Sequence, residues 1–170
     1  MHRFTLVIFS LSIFGGLASA GPRDGRLDIF WVDVEGGAAT LVVTPAGETI
    51  VIDTGLPKTR FPTRIREVIT DVCGLHRVDH LIITHYDTDH YGGAAPLSRM
   101  LPIRTVYDNG RFEKMVNDPG DDYWSFPAAG RVVVNPGDQI PLKQRKESKR
   151  QVTLRCLATR QEFIEPAAGA

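Results

Sequence analysis

Thr84-His85-Tyr86-Asp87-Thr88-Asp89-His90-Tyr91-Gly92-Gly93 packs two imidazoles and two carboxylates into six residues, between an apolar run and a glycine pair. Imidazole nitrogen and carboxylate oxygen are the ligand set of Zn²⁺ and similar divalent ions. His85 and Asp87 are two apart, so extended backbone puts their side chains on the same side. Asp89 and His90 are adjacent and need a turned loop, which Gly92 and Gly93 make easier. The simplest arrangement gives one ion to the first pair and a second ion to the second pair. Two ions about 3.5–4 Å apart can share a water and lower its pKa toward about 7. A purely structural reading, in which these groups cap and hydrogen-bond a tight loop, accounts poorly for so dense a set.

The elements around this stretch follow from pattern. Leu27 to Val34 reads as a strand, followed by a Glu35-Gly36-Gly37 turn. Ala39 to Thr44 and Thr49 to Asp53 read as an antiparallel hairpin across Pro45-Ala46-Gly47-Glu48. Asp53-Thr54-Gly55 closes the third strand with a carboxylate at its C-terminal edge, which a turn or cap would also explain. Ile65, Val68, Ile69, Val72 and Cys73 recur at helical spacing, with Pro62 in the first turn and Gly74 as the stop. Val78 to Thr84 is a buried-type strand that delivers His85 at its tip.

Beyond the motif, Gly92 to Leu97 opens a short helix that Pro102 stops, and its positive end would favour an anionic substrate. Ile103 to Tyr107, Arg131 to Val134 and Gln151 to Ala158 read as strands. Residues 111–130 read as a long loop anchored by Tyr123, Trp124 and Phe126, of the kind that covers a site. Strands and helices alternate, with hairpins, so the class is α/β with a mixed sheet. His76 and His80 lie beside core elements and read as packing residues.

The chain of 170 residues fits one domain, and its net charge of zero gives no overall pull toward nucleic acid or anionic membrane. Residues 1–20 read as a signal peptide: a basic Met1-His2-Arg3, an apolar run from Phe4 to Leu17, and Ala18-Ser19-Ala20 before Gly21. Residues 21–170 then form the exported domain, periplasmic or secreted, with no later membrane span. Export permits a disulfide, but Cys73 and Cys156 each sit in an apolar pattern and read as buried free thiols. No C-x-x-C spacing supports a thiolate metal site.

Thr84-His85-x-Asp87-x-Asp89-His90-x-Gly92-Gly93 resembles the H-x-H-x-D-H signature of the metallo-β-lactamase superfamily. The lead-in, Val32-Asp33-Val34-Glu35-Gly36-Gly37-Ala38 through Ile52-Asp53-Thr54-Gly55, is similar to that superfamily's N-terminal half. Its wording, and the Asp at the second ligand position, look most like the hydrolase domain of ComEC-type DNA-uptake proteins. The resemblance runs from Leu27 to at least Tyr107. It implies an αββα sandwich with mixed, mostly antiparallel sheets and metals at one edge. It further implies that His85 and Asp87 hold the first ion and Asp89 and His90 the second. Asp89 would also orient the attacking water, and Asp53 would support the ligand loop from behind. The activity implied is a metal-dependent hydrolase in which metal-activated water attacks an ester, amide or phosphodiester.

Two departures qualify it. Asp87 replaces the usual second His, which Zn²⁺ tolerates but which makes Mn²⁺ or Fe more plausible. The superfamily also draws a His, a bridging Asp and a final His from its C-terminal half, whereas His90 is the last of five histidines here. Asp108, Asp118, Asp121, Asp122 and Asp138 could contribute, though no motif selects one. The chain therefore reads as the N-terminal part of a longer hydrolase, incomplete at its C-terminus, or as a reduced member with a weak site or none. The alternatives are a non-catalytic binding module and a DNA-processing protein. For the latter, the run Lys143-Gln144-Arg145-Lys146-Glu147-Ser148-Lys149-Arg150 could touch phosphates, although a solvated hairpin tip is the commoner meaning of such a run.

Overall fold

The computed structural model describes residues 25–113, 115–159 and 162–164; the expected signal peptide lies outside them. Its main sheet has six strands in sequence order: β1 (Asp28–Trp31), β2 (Thr40–Val43), β3 (Thr49–Ile52), β4 (Val78–Ile82), β5 (Ile103–Asp108) and β6 (Gly130–Val133). The first three pair antiparallel, with Phe30 opposite Leu41 and Leu41 opposite Val51. The turn between β2 and β3 closes with Thr44 N donating to Glu48 O at 2.9 Å, and Gly47 supplies the left-handed residue at φ 80°. From β3 onward the pairing is parallel, with Val51 beside Leu81 and Leu81 beside Val106. β7 (Gln139–Ile140) with β8 (Leu154–Arg155), and β9 (Ala158–Thr159) with β10 (Glu162–Phe163), form two small antiparallel pairs.

Parallel neighbours require crossovers, and these supply the helical layer. α1 (Arg60–Glu67) runs on into a π-helical turn, Val68–Val72. Ile65 and Ile69 are fully buried on this face, as the apolar spacing predicts, and Phe61 is buried with them. Val72 is not: it is 48% exposed. The bond from Cys73 N to Val68 O spans five residues and widens the turn, which rotates Val72 off the apolar stripe and keeps Cys73 on it. Gly74, at φ 65°, ends the segment.

Leu41, Val43, Val51, Leu81, Ile83 and Val106 meet this helical layer in one large core. α4 (Asp121–Ser125) joins it, because Tyr123 and Phe126 bury their rings there. Residues 111–130 are thus not all loop: the aromatics that anchor the segment also fold part of it. On the opposite face Tyr107, Val134 and Ile140 form a second cluster under β7 and β8. Gln151 to Ala158, expected as one strand, is broken between β8 and β9. The layers are helices, main sheet and short strands, and four of the seven strand pairings are antiparallel among the described residues. Over β1 the outer face is open, leaving Ile29 47% and Trp31 81% exposed. Cys73 and Cys156 are free thiols. No helix of the described residues is long and apolar enough to cross a membrane.

Candidate metal centre

The ligand stretch is built on the C-terminal ends of two adjacent parallel strands. β3 leads into Asp53, a buried carboxylate held in the left-handed region at φ 58°. Such a conformation costs an Asp about 1–3 kcal/mol and persists where surrounding contacts fix it. Here the contacts come from the end of β4. Thr84 N donates to Asp53 Oδ1 at 2.9 Å, and the Thr84 hydroxyl donates to Oδ2 at 2.7 Å. His90 Nδ1 lies 2.8 Å from the same Oδ2.

These contacts set both imidazoles. The Thr84 hydroxyl has one proton, given to Asp53, so its 3.0 Å contact with His85 Nδ1 makes that nitrogen the donor. His90 Nδ1 likewise donates to the carboxylate. With Nδ1 the donor in both rings, the neutral form of each turns its Nε2 lone pair outward, the form in which imidazole binds a metal.

The turn between the histidines is α2 (Thr88–Tyr91), followed by α3 (Ala94–Ser98). At five residues α3 is too short to carry the anion-attracting role expected of it. Backbone contacts pin the turn instead: Thr54 N donates to His90 O at 2.7 Å, and Ala38 N to Asp89 O at 3.2 Å. Close approach requires glycine on both sides. A Cβ on Gly93 would lie 2.3 Å from Thr54 O, and one on Gly37 would lie 2.2 Å from Asp89 O.

With the rings fixed, His85 Nε2 stands 3.4 Å from Asp87 Oδ2, and His90 Nε2 stands 3.8 Å from Asp89 Oδ2. The two rings lie 3.8 Å apart between centroids. A separation of 3.4 Å is long for an N–H···O bond. It matches the edge of about 3.3 Å between two donors that each sit about 2.0 Å from a tetrahedral ion. The donor chemistry and the outward lone pairs thus fit a divalent cation. The set is arranged as pairs, however: among the described residues no three or more His, Cys, Asp or Glu side chains converge as one metal cluster. The carboxylates of the two pairs, Asp87 and Asp89, line a cleft of about 670 Å³ together with Gly36, Tyr86, Val116 and Asn117.

The other candidate acids are largely engaged elsewhere. Asp108 is buried and accepts from Tyr123 Oη at 2.7 Å and Gly110 N at 2.8 Å. Burial, and then the Asp108 charge, push the phenols of Tyr86 and Tyr123 well above the usual tyrosine range. Asp118, on the cleft wall, accepts from Trp124 Nε1 and Gly120 N, and these donors, in that order, hold its carboxyl below the ordinary value. Asp138 accepts from Asn135 N, and Asp121 faces Arg111 at 3.8 Å. His80 is buried on the far face, against Tyr107 Oη at 3.3 Å.

The family model described as the metallo-beta-lactamase superfamily matches residues 32–154, and the chain belongs to that superfamily. A protein of Cupriavidus taiwanensis named as a UPF0173 metal-dependent hydrolase is 36% identical over 97 residues, which is 55% of this chain and 30% of that protein. One of Cupriavidus necator with the same description is 35% identical over 92 residues, 52% of this chain and 28% of that protein. Among solved structures, MEM-A1, a subclass B3 metallo-beta-lactamase from a soil metagenome library, is similar with a TM-score of 0.50 and 25% identity. The alignment covers 67% of this chain and 46% of the lactamase. The chain thus spans less than half the length of each of these relatives.

The structure brings His85, Asp87, Asp89 and His90 together, with Asp87 and Asp89 on the cleft wall and Asp53 behind His90. Two contributors escaped the sequence reading. Thr84 links Asp53 to His85, and its position just before the first ligand was the available signal. Asn117 donates to Asp87 Oδ1 at 2.6 Å from 30 residues away, and no local pattern marks it.

Proposed function

We propose that this chain carries the N-terminal ligands of an exported, metal-dependent hydrolase that cleaves an ester, amide or phosphodiester. The observation that carries the reading is the pair of outward-facing Nε2 atoms, each beside a carboxylate oxygen, with both Nδ1 atoms tied directly or through Thr84 to Asp53. His85 and Asp87 would hold one ion, and Asp89 and His90 a second. Zn²⁺ suits this donor set, and the oxygen of Asp87 in place of a nitrogen widens it toward Mn²⁺ or Fe. A bound ion would acidify a water and polarise the bond to be cleaved. Asp89 would orient that water, while Asp53 and Thr84 keep the imidazoles aimed. The names of the Cupriavidus relatives support the reading. The signal-like residues 1–20 support export.

The test is hydrolysis of generic phosphodiester, lactone and β-lactam substrates by the full chain with added Zn²⁺ or Mn²⁺. The reading expects activity that a chelator removes and that Asp89→Ala abolishes. Activity indifferent to chelator and to Asp89→Ala would contradict it.

A second reading, a DNA-processing hydrolase of ComEC type, draws on the exposure of Lys143 to Arg150 between β7 and β8. It expects DNA binding that weakens steeply with salt and when Lys146, Lys149 and Arg150 are neutralised. Binding unchanged by either would exclude that contact.

A further inference from the structure

The two oxygens of Asp87 have different neighbours. Oδ2 faces His85 Nε2 at 3.4 Å, while Oδ1 accepts a hydrogen bond from Asn117 Nδ2 at 2.6 Å. The Asp87 side chain is 54% exposed, so packing alone does not select its rotamer. A short bond from an amide to an ionised oxygen restricts both χ angles and occupies one of the two acceptor atoms.

The chain on one side of Asn117 is held in place. Its neighbour Asp118 accepts from Gly120 N at 2.9 Å and from Trp124 Nε1 at 2.8 Å. The Trp124 ring meets Tyr86 edge-on at 5.5 Å, and Tyr86 is the residue between His85 and Asp87. The segment from Asn117 to Trp124 therefore grips the ligand loop at two places, by an amide at Asp87 and by a ring at Tyr86.

We infer that Asn117 is a positioning residue for Asp87: it retains Oδ1 and leaves Oδ2, beside His85, to bind a divalent cation. This rests on the reading that His85 and Asp87 share an ion. Without the amide, the carboxylate would rotate or offer both oxygens.

Cobalt(II) titration of the full chain, followed by calorimetry and visible absorption, tests the inference with Asn117→Ala and the near-isosteric Asn117→Asp. Removing such an outer contact to a ligand costs about 10–100-fold in metal affinity. Both variants are expected to bind cobalt weaker by that factor, with a visible spectrum altered at saturation because a second carboxylate oxygen has become free. Affinity and spectrum matching the wild-type chain would overturn the inference alone. Weaker binding with an unchanged spectrum and a lower melting temperature of the metal-free chain would make Asn117 merely structural, and would overturn it too. A wild-type chain that takes up no cobalt overturns both this inference and the hydrolase reading.

Discussion

Asp53 Oδ2 lies 2.8 Å from His90 Nδ1 and also receives the Thr84 hydroxyl at 2.7 Å, so one buried oxygen governs the tautomer of both histidines. The strained backbone of Asp53, at φ 58°, is the local cost of aiming that carboxylate away from its own strand toward the neighbouring one.

Asp53→Asn separates aiming from folding. Asn tolerates the left-handed conformation and can still accept from Thr84 N. Its amide N–H would face His90 Nδ1, however, and favour the tautomer whose proton sits on Nε2. Calorimetric zinc affinity is expected to fall about 10–100-fold. Unfolding stability should drop by only about 0.5–1.5 kcal/mol, the worth of one hydrogen bond.

Gly93→Ala and Gly37→Ala press a methyl against backbone oxygen, 2.3 Å from Thr54 O and 2.2 Å from Asp89 O. Backbone cannot yield as a side chain tip does, so each should lower stability by about 1–3 kcal/mol, read from urea midpoints. Gly36→Ala is the contrast, since nothing lies within 4 Å of its added carbon. It should stay within about 0.5 kcal/mol of wild type.

The alkaline limb of stability follows from Tyr86 and Tyr123, whose phenols burial and then Asp108 hold neutral. An unfolded tyrosine ionises near pH 10. Their contribution is whole below about pH 10 and declines above it, because the unfolded chain releases protons that the fold retains. Urea midpoints should therefore hold up to about pH 10 and fall above it. Tyr123→Phe should flatten that decline while lowering the neutral midpoint, because Asp108 loses a donor.

What the sequence made legible was what depends on near neighbours. The β2–β3 hairpin, the apolar face of α1 and the strand that delivers His85 are written in spacings of two to eight residues. The grouping of the ligands is legible for the same reason. Three features were not legible in this way. The π-helical turn, closed by Cys73 N on Val68 O, takes Val72 out of the core, which the regular apolar spacing does not announce. α4 carries Tyr123 into the core beside Phe126; the aromatic anchors were legible, but the helix was not, in a segment rich in Pro, Gly and acids. Asn117 meets Asp87 across 30 residues.

The central claim is that Thr84 to Gly93 binds a divalent ion. Metal content of the full chain after equilibration with zinc and gel filtration tests it directly, for wild type, His85→Ala and His90→Ala, each checked for native circular dichroism. The account predicts retained zinc in the wild-type chain and a lower zinc content in each variant. Zinc content the same in all three chains would contradict it.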